Sequence, residues 1–241
     1  MGFNCEGVDT PGTLDEAGFC YVTDSTKLLP SDFEDRESIE KGYLPECEEL
    51  LRQVMDRVDE VAIYDWRVRH TDLPTRQGSV VDLNNPMSPI GAATHVHVDQ
   101  SPSSVVERIK RMFPDRQHVL LQSRVRLINL WRPINGPIQN WPLAVCDGRT
   151  LSESNLVETE RIRRTFTGNT MFLMQGTGVK WFYMSEQNDD EVLIFKSFDS
   201  REDVTRYAAH GSFKLPDSSE GLPPRQSIEV RALVFSYPAT E

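Results

Sequence analysis

From residue 119 to 237 the chain repeats one pattern, a short run rich in β-branched, aromatic and other large apolar residues followed by a stretch of turn formers. The runs are VLLQSRVRLINLW, PLAVCDGRT, NTMFLMQ, VKWFYMS, EVLIFKSFD and SIEVRALVFSY. Between them lie PINGPIQNWP, GTG, EQNDD and LPDSSEGLPP. Many short strands with turn signals between them indicate a barrel or a double-sheet jelly roll. The expected fold is mainly β, a double-stranded β-helix (jelly roll) with a few flanking helices.

The helices come early. Residues 46–59 place Leu50, Leu51, Val54, Met55 and Val58 at helical spacing, which predicts an amphipathic helix. EVAIYDWRVRH (60–70) follows as a strand, and residues 71–91 read as a loop punctuated by Pro, Gly and Asn. ATHVHVDQS (93–101) is a short strand, and Pro102 opens a second helix over SSVVERIKRMF with Ser101 as N-cap. Residues 1–43 look irregular, with one short hairpin around Gly18–Thr23. The 241 residues suit a single domain over 1–241.

The formal net charge of -11 argues against nucleic acid and anionic membranes as partners. The densest basic groups, Arg108, Lys110, Arg111 and Arg161, Arg163, Arg164, read as solvated helix faces. Cys5, Cys20, Cys47 and Cys146 form no CxxC pair, so a zinc knuckle or thioredoxin-type site is not indicated. The start carries no basic n-region and no apolar h-region, and no apolar run reaches the length of a membrane span. Cytoplasmic residence with reduced thiols is the expectation.

The sharpest local feature is His95-Val96-His97-Val98-Asp99. On a strand, alternate residues face one side, so His95, His97 and Asp99 share a face opposite Val96 and Val98. An imidazole and a carboxylate two residues apart can hold one metal, and a second histidine from elsewhere completes a facial two-His-one-carboxylate set. Such a set leaves positions open on an octahedral iron for a bidentate 2-oxo acid and oxygen. His70, His118 and His210 are the candidates, and His210, in AAHGSF before the final strand, is chosen. HxD triplets also arise by chance, and the donor set would equally suit zinc. His95 is expected to support the ligands from outside the metal sphere.

The last strand narrows the choice of metal. Arg225, Ser227, Glu229 and Arg231 alternate with Ile228 and Val230, so four polar side chains share a face. An arginine fork with a hydroxyl beside it fits a carboxylate, such as the distal one of 2-oxoglutarate. The alternative is an outward polar face whose Glu229 pairs with Arg225 or Arg231. The order HxD, several strands, His, Arg-x-Ser is that of 2-oxoglutarate-dependent oxygenases.

At these residues the chain resembles the fungal and bacterial secondary-metabolite hydroxylase/desaturase family, which includes a gibberellin desaturase, an aspergillic-acid hydroxylase and a cephamycin methoxylation component. VHVDQS, INLWRPINGPIQNWPLAVCDGRT, KWFYMSEQNDDEVLIFKSFDS, AAHGSF and RQSIEVRALVF carry the resemblance. It implies a jelly roll, iron(II), 2-oxoglutarate and O2, and oxidation of a natural-product intermediate by hydroxylation, desaturation or cyclisation. By position, His97, Asp99 and His210 would hold iron, and Arg225 and Ser227 the co-substrate. Arg231 is the second choice for that carboxylate, and Asn129 is assigned to the co-substrate set. Val179-Lys180 stands where the family has His-Arg before its aromatic element.

Trp131, Arg132, Lys180, Trp181 and Tyr183 are candidates for the substrate pocket. For the two tryptophans a core role competes, and for Arg132 and Lys180 a solvated strand end. Lys196 and Asp199 are expected to pair structurally, and Asp65, Arg67 and Arg69 to form a salt-bridge ladder. Two other readings fit the same sequence: a metal-dependent isomerase or cyclase that does not oxidise, and a binding jelly roll without catalysis. Oligomeric state is not encoded legibly.

Overall fold

A computed structural model describes residues 12–71, 82, 84–88, 90–162, 167–176, 178–216 and 221–238. Cys5, Arg163, Arg164 and much of the 71–91 loop lie outside the described residues. Two antiparallel sheets face each other as a jelly roll. The first has the order β1 (Phe19–Thr23), β9 (Glu191–Asp199), β4 (Arg124–Pro133), β11 (Gln226–Ser236), β2 (Glu60–His70). The second runs β6 (Leu156–Ile162), β7 (Thr167–Leu173), β3 (His97–Val98), β10 (His210–Ser212), β5 (Leu143–Cys146), β8 (Trp181–Phe182).

The period of two decides which face of the first sheet is which. Along β11, Ile228, Val230, Ala232 and Val234 form one fully buried row. That row joins a cluster with Ile128, Leu130, Val192 and Ile194 and with Cys47, Leu50 and Leu51 of helix α2 (Leu44–Val54). Leu50, Leu51 and Cys47 sit at i, i+1 and i-3, one stripe of a helix, so α2 covers the outer face. Truncating Leu51 to alanine there would cost about 2–5 kcal/mol. A single α-turn, α1 (Arg36–Ser38), and a π-helical turn at Ile39–Tyr43 lead into α2 and add Ile39 and Tyr43 to the same cluster.

Several local expectations change in the fold. The first helix stops at Val54 rather than 59: Met55 is extended and Arg57 takes φ 51, turning the chain into β2. Buried Arg126 stabilises that turn by donating to the carbonyls of Asp56 and Arg57. Phe19–Thr23 does not fold back as a hairpin but pairs with distant β9, from Phe19↔Phe195 to Thr23↔Glu191. Residues 117–120 form a helical turn, α4 (Gln117–Leu120), so the long strand begins only at Arg124. Arg161 lies on β6, not on a helix. The second helix, α3 (Pro102–Met112), forms as expected, with the Ser101 hydroxyl accepting from the Ser104 N–H.

Two β-bulges interrupt the first sheet. Between β4 and β9 the pairing steps from Leu127↔Phe198 to Ile128↔Lys196, leaving Ser197 as the extra residue. Between β11 and β2 it steps from Arg231↔Asp65 to Ala232↔Ile63, leaving Tyr64 as the extra residue. A bulge re-aims the side chains around it, and both of these flank the inner face at Asn129 and Arg231.

Candidate metal and co-substrate site

Across the second sheet the register aligns Val157, Phe172, His97, His210, Val145 and Phe182 in one row. Directly paired residues point to the same side. That side is the interior, because the His210 ring lies 4.4 Å from Phe195, whose pairing with Asn129 puts it on the inner face of the first sheet. Asp99 follows His97 by two residues and shares its direction. Donor atoms of His97, Asp99 and His210 lie within 4.8 Å of one another, and the two imidazole centroids are 4.5 Å apart. The structure thus brings together the three predicted ligands from two strands and a bend.

Each histidine is oriented by its backbone. His97 Nδ1 lies 2.7 Å from the His95 carbonyl and His210 Nδ1 lies 3.3 Å from that of Ala208. Donation from Nδ1 leaves Nε2 with the lone pair a metal needs. Nε2 of His210 is buried and has no hydrogen-bond partner. Burial, aided by the neighbouring His97, pushes the His210 imidazole down to about 4, so it is neutral at physiological pH. The residue expected to lend outer support, His95, does so through this carbonyl, while its ring is exposed at the pocket.

Asp99 divides its two oxygens. Oδ2 accepts from Asn129 Nδ2 at 2.5 Å and from Arg231 Nε at 2.9 Å. Oδ1 faces His97 Nε2 at 3.5 Å. Burial alone would raise this carboxyl, but Arg231 and the two histidines hold it well below the usual carboxylate range, so it is an anion ready to ligate. Two donors from different strands, Asn129 on β4 and Arg231 on β11, therefore hold Oδ2, and the Ser197 hydroxyl at the bulge lies 3.5 Å from it.

The polar row of β11 points inward, not to solvent: Arg225 is 2%, Ser227 0%, Glu229 4% and Arg231 9% exposed. Arg225 is built as an incomplete anion site. Its Nη1 donates to the Trp141 carbonyl at 2.7 Å and to Ser212 Oγ at 2.8 Å, while Nε and Nη2 have no partner. The Ser227 hydroxyl beside it is buried and unpartnered too. Burial and nearby Arg69 push the guanidinium down to about 9, the mark of a buried cation short of an anion. Ser212 lies two residues past His210, so the anion site sits about 6–7 Å along the strand from the metal ligand. That spacing and those orphaned donors fit a short dicarboxylate reaching from a metal to Arg225.

Other predicted residues fall elsewhere. Each nitrogen of Arg231 already bonds a carboxylate: Nε Asp99, Nη1 Asp65 and Nη2 Glu229. Asn129 spends its amide hydrogens on Asp99 and Glu229, and its oxygen accepts from Ser197. Trp131 faces inward, with the Arg225 guanidinium 5.5 Å over its ring. Arg132 is turned to the outer face, where Tyr43, Asp24 and the Asp189 carbonyl bind it, and so is removed from the pocket. Lys180 is exposed. Trp181 and Tyr183 alternate with Phe182, and it is Phe182 that shares the row of His210 and packs with Trp131 and Val145. Tyr183 packs edge-on against Phe213 at 5.2 Å on the other side. Phe182, Phe172 and Ser197 are neighbours of the site that the sequence did not single out, although Phe182 and Phe172 carry the alternation signal.

A cavity of about 540 Å³ opens beside the ligands. His97 and Asp99 form its floor, Phe172, Thr159 and Thr170 one wall, and Asp65, Arg67 and Arg69 the other. Of the ladder expected among Asp65, Arg67 and Arg69, Asp65 and Arg69 instead pair across to β11, with Arg231 and Glu229, and Arg67 donates to the Asn85 carbonyl at 3.5 Å.

A family model described as an oxidoreductase/YMDC permease-like domain matches residues 4–235. Among the described residues no helix is long and apolar enough to cross a membrane. The chain is 39% identical over 145 residues to the Fe(II)/2-oxoglutarate-dependent dioxygenase nvfI of Aspergillus novofumigatus, covering 59% of this chain and 52% of that protein. It is 31% identical over 237 residues to the hydroxylase/desaturase CTB9 of Cercospora beticola, covering 92% and 71%. Aspirochlorine biosynthesis protein N of Aspergillus oryzae matches at 36% over 139 residues, 58% of its length. The chain therefore spans little more than half the length of two of these relatives. The solved structure of the iron and alpha-ketoglutarate-dependent endoperoxidase NvfI superposes with a TM-score of 0.80 at 30% identity, over 94% of this chain and 82% of that one.

Proposed function

The chain belongs to the hydroxylase/desaturase family of iron(II)- and 2-oxoglutarate-dependent dioxygenases, and on that premise we propose that it oxidises a small natural-product intermediate at a carbon held in the 540 Å³ cavity. His97, Asp99 and His210 are its iron ligands, and Arg225 with Ser227 its 2-oxoglutarate anchor. When bound, iron(II) and 2-oxoglutarate supply with O2 the oxidising power, 2-oxoglutarate leaving as succinate and carbon dioxide. The outcome on the substrate is hydroxylation, desaturation or cyclisation.

The observation that carries this reading is the set of orphaned buried atoms: His210 Nε2, Arg225 Nε and Nη2, and Ser227 Oγ. A buried polar atom without a partner costs free energy, of order 1–3 kcal/mol each. A metal cation at His210 Nε2 and an anion at Arg225 relieve these costs together. The anion half also separates an oxygenase from a metal-dependent isomerase, which needs no dicarboxylate anchor. The chain's own residues orient and shield: Nδ1 bonds fix both imidazoles, Asn129 and Arg231 fix Asp99, and the inner rows of both sheets keep water from the reacting carbon. Three free thiols, Cys20, Cys47 and Cys146, fit residence in the reducing cytosol.

Anaerobic titration of the apo-protein with iron(II) and 2-oxoglutarate tests the reading. A visible charge-transfer band at one iron per chain, lost in His210→Ala, is the expected result. A folded wild-type protein without the band would sink the assignment.

A further inference from the structure

Glu229 belongs neither to the metal set nor to the anion anchor, yet it lies between them, buried. Its Oε1 accepts from Asn129 Nδ2 at 3.1 Å and from Arg231 Nη2 at 2.8 Å. The same two side chains donate to Oδ2 of Asp99. Its Oε2 takes Arg69 at 3.3 Å. One buried carboxylate thus aims two donors at a second carboxylate. Neutralising Arg231 does not require it, since Asp65 and Asp99 already bind that guanidinium at 2.8 and 2.9 Å. What Glu229 adds is direction. It gives Asn129 a second acceptor, so that the amide cannot rotate away from Asp99 without losing both bonds.

We propose that Glu229 is a positioning residue for the metal carboxylate, holding Asn129 and Arg231 on Oδ2 so that Asp99 offers a metal only Oδ1. The inference rests on the iron and 2-oxoglutarate assignment above. Its consequence is a count of coordination positions. Two imidazoles, one carboxylate oxygen and a bidentate 2-oxo acid leave an octahedral metal one open position for oxygen. A carboxylate free to swing both oxygens inward would close it.

The test uses nitric oxide as a stand-in for oxygen. Wild type and Glu229→Gln are loaded anaerobically with iron(II) and 2-oxoglutarate, then titrated with nitric oxide and read by electron paramagnetic resonance. Wild type takes one nitric oxide per iron. Glu229→Gln keeps its melting temperature and its 2-oxoglutarate band, binds iron about tenfold more weakly, as changes in the groups behind a ligand commonly do, and loses most of the nitrosyl signal. Iron affinity and nitrosyl signal both equal to wild type overturn the proposal while leaving the metal assignment standing. Absence of iron binding in wild type overturns the metal assignment itself. Should Glu229→Gln not fold, Glu229→Asp keeps the charge but withdraws Oε1 from Asn129 and Arg231, and the same two results support or overturn the proposal. Where Glu229→Gln folds, adding Asn129→Ser to it should lower iron affinity no further than Asn129→Ser does alone, because Glu229 acts through Asn129.

Discussion

Two clusters of buried charge lie on the first sheet, and they are built differently. At one end Lys196 and Asp199, both fully buried, bond at 2.6 Å; Asp15 takes Lys196 at 2.6 Å, and Arg124 bonds Asp15 and Asp199 at 2.7 Å. The Thr205 carbonyl takes the ammonium as well, at 3.2 Å, and the Arg201 N–H donates to Asp199 Oδ1 at 3.1 Å. This cluster is closed. The other, around Asp99, Arg231 and Glu229, is bonded just as densely on the side away from the cavity. Beside it His210 Nε2, two nitrogens of Arg225 and the Ser227 hydroxyl are buried and unpartnered. Both clusters bear the desolvation cost of buried charge. One recovers it within the chain, by tying the segment before β1 to β4 and β9. The other leaves buried donors and acceptors that a metal and an anion would meet. Density of ion pairs does not mark a functional site; directed, unmet donors and acceptors do.

The sharpest break of this contrast is His210→Ala. It should abolish the iron and 2-oxoglutarate band, exceeding the roughly 10–100-fold loss typical of groups behind the ligands, and leave the melting temperature nearly unchanged. Arg124→Met should do the reverse, costing about 1–3 kcal/mol of stability by taking one of the two cations from buried Asp199 while the band survives; a lost band would show that the two clusters are coupled. Arg225→Met should weaken 2-oxoglutarate about 10–100-fold, since a hydrogen bond to a charged group contributes roughly 1.5–3 kcal/mol, with iron binding intact by calorimetry. Acid should find the closed cluster through Asp15. Although burial raises its carboxyl, Arg124 and Lys196 hold it down to about 2. A depressed carboxyl stabilises the fold fully above its ordinary value near 3.8 and loses that contribution as pH falls to about 2. Asp15 is half open to solvent, so the contribution is about 1 kcal/mol after screening; Asp15→Asn should flatten the stability curve across that window in denaturant titrations. Ser227→Ala should be the mildest change, neutral or slightly stabilising without ligand, with 2-oxoglutarate weakened by about 0.5–1.5 kcal/mol.

The site is legible in the sequence wherever strand alternation alone decides. His97 and Asp99 share a face by period, as do Arg225 and Ser227, and the structure brings both pairs to the interior. The same rule, applied strictly, separates Arg132 from Trp131 and Phe182 from Trp181, and it is on those neighbours that the expected pocket and the observed one part. Asn129 and Arg231 look like anion binders because their chemistry permits it; their partners, Asp99 and Glu229, are set by strand pairing far along the chain.

By itself, then, the sequence determined the mainly β architecture, the helix at 102–112 and the residue types that can hold a metal and a carboxylate, because these follow from local periodicity and from donor chemistry. Only the tertiary structure decided which face of each sheet is inside, how close His210 comes to His97 and Asp99, and which nitrogens of Arg225 are left without a partner. Those choices depend on register, and register between strands such as β3 and β10 is fixed by packing across the whole barrel. The bulges at Tyr64 and Ser197, each one residue of slippage, turn that register into a carboxylate held by its back oxygen with its front oxygen free.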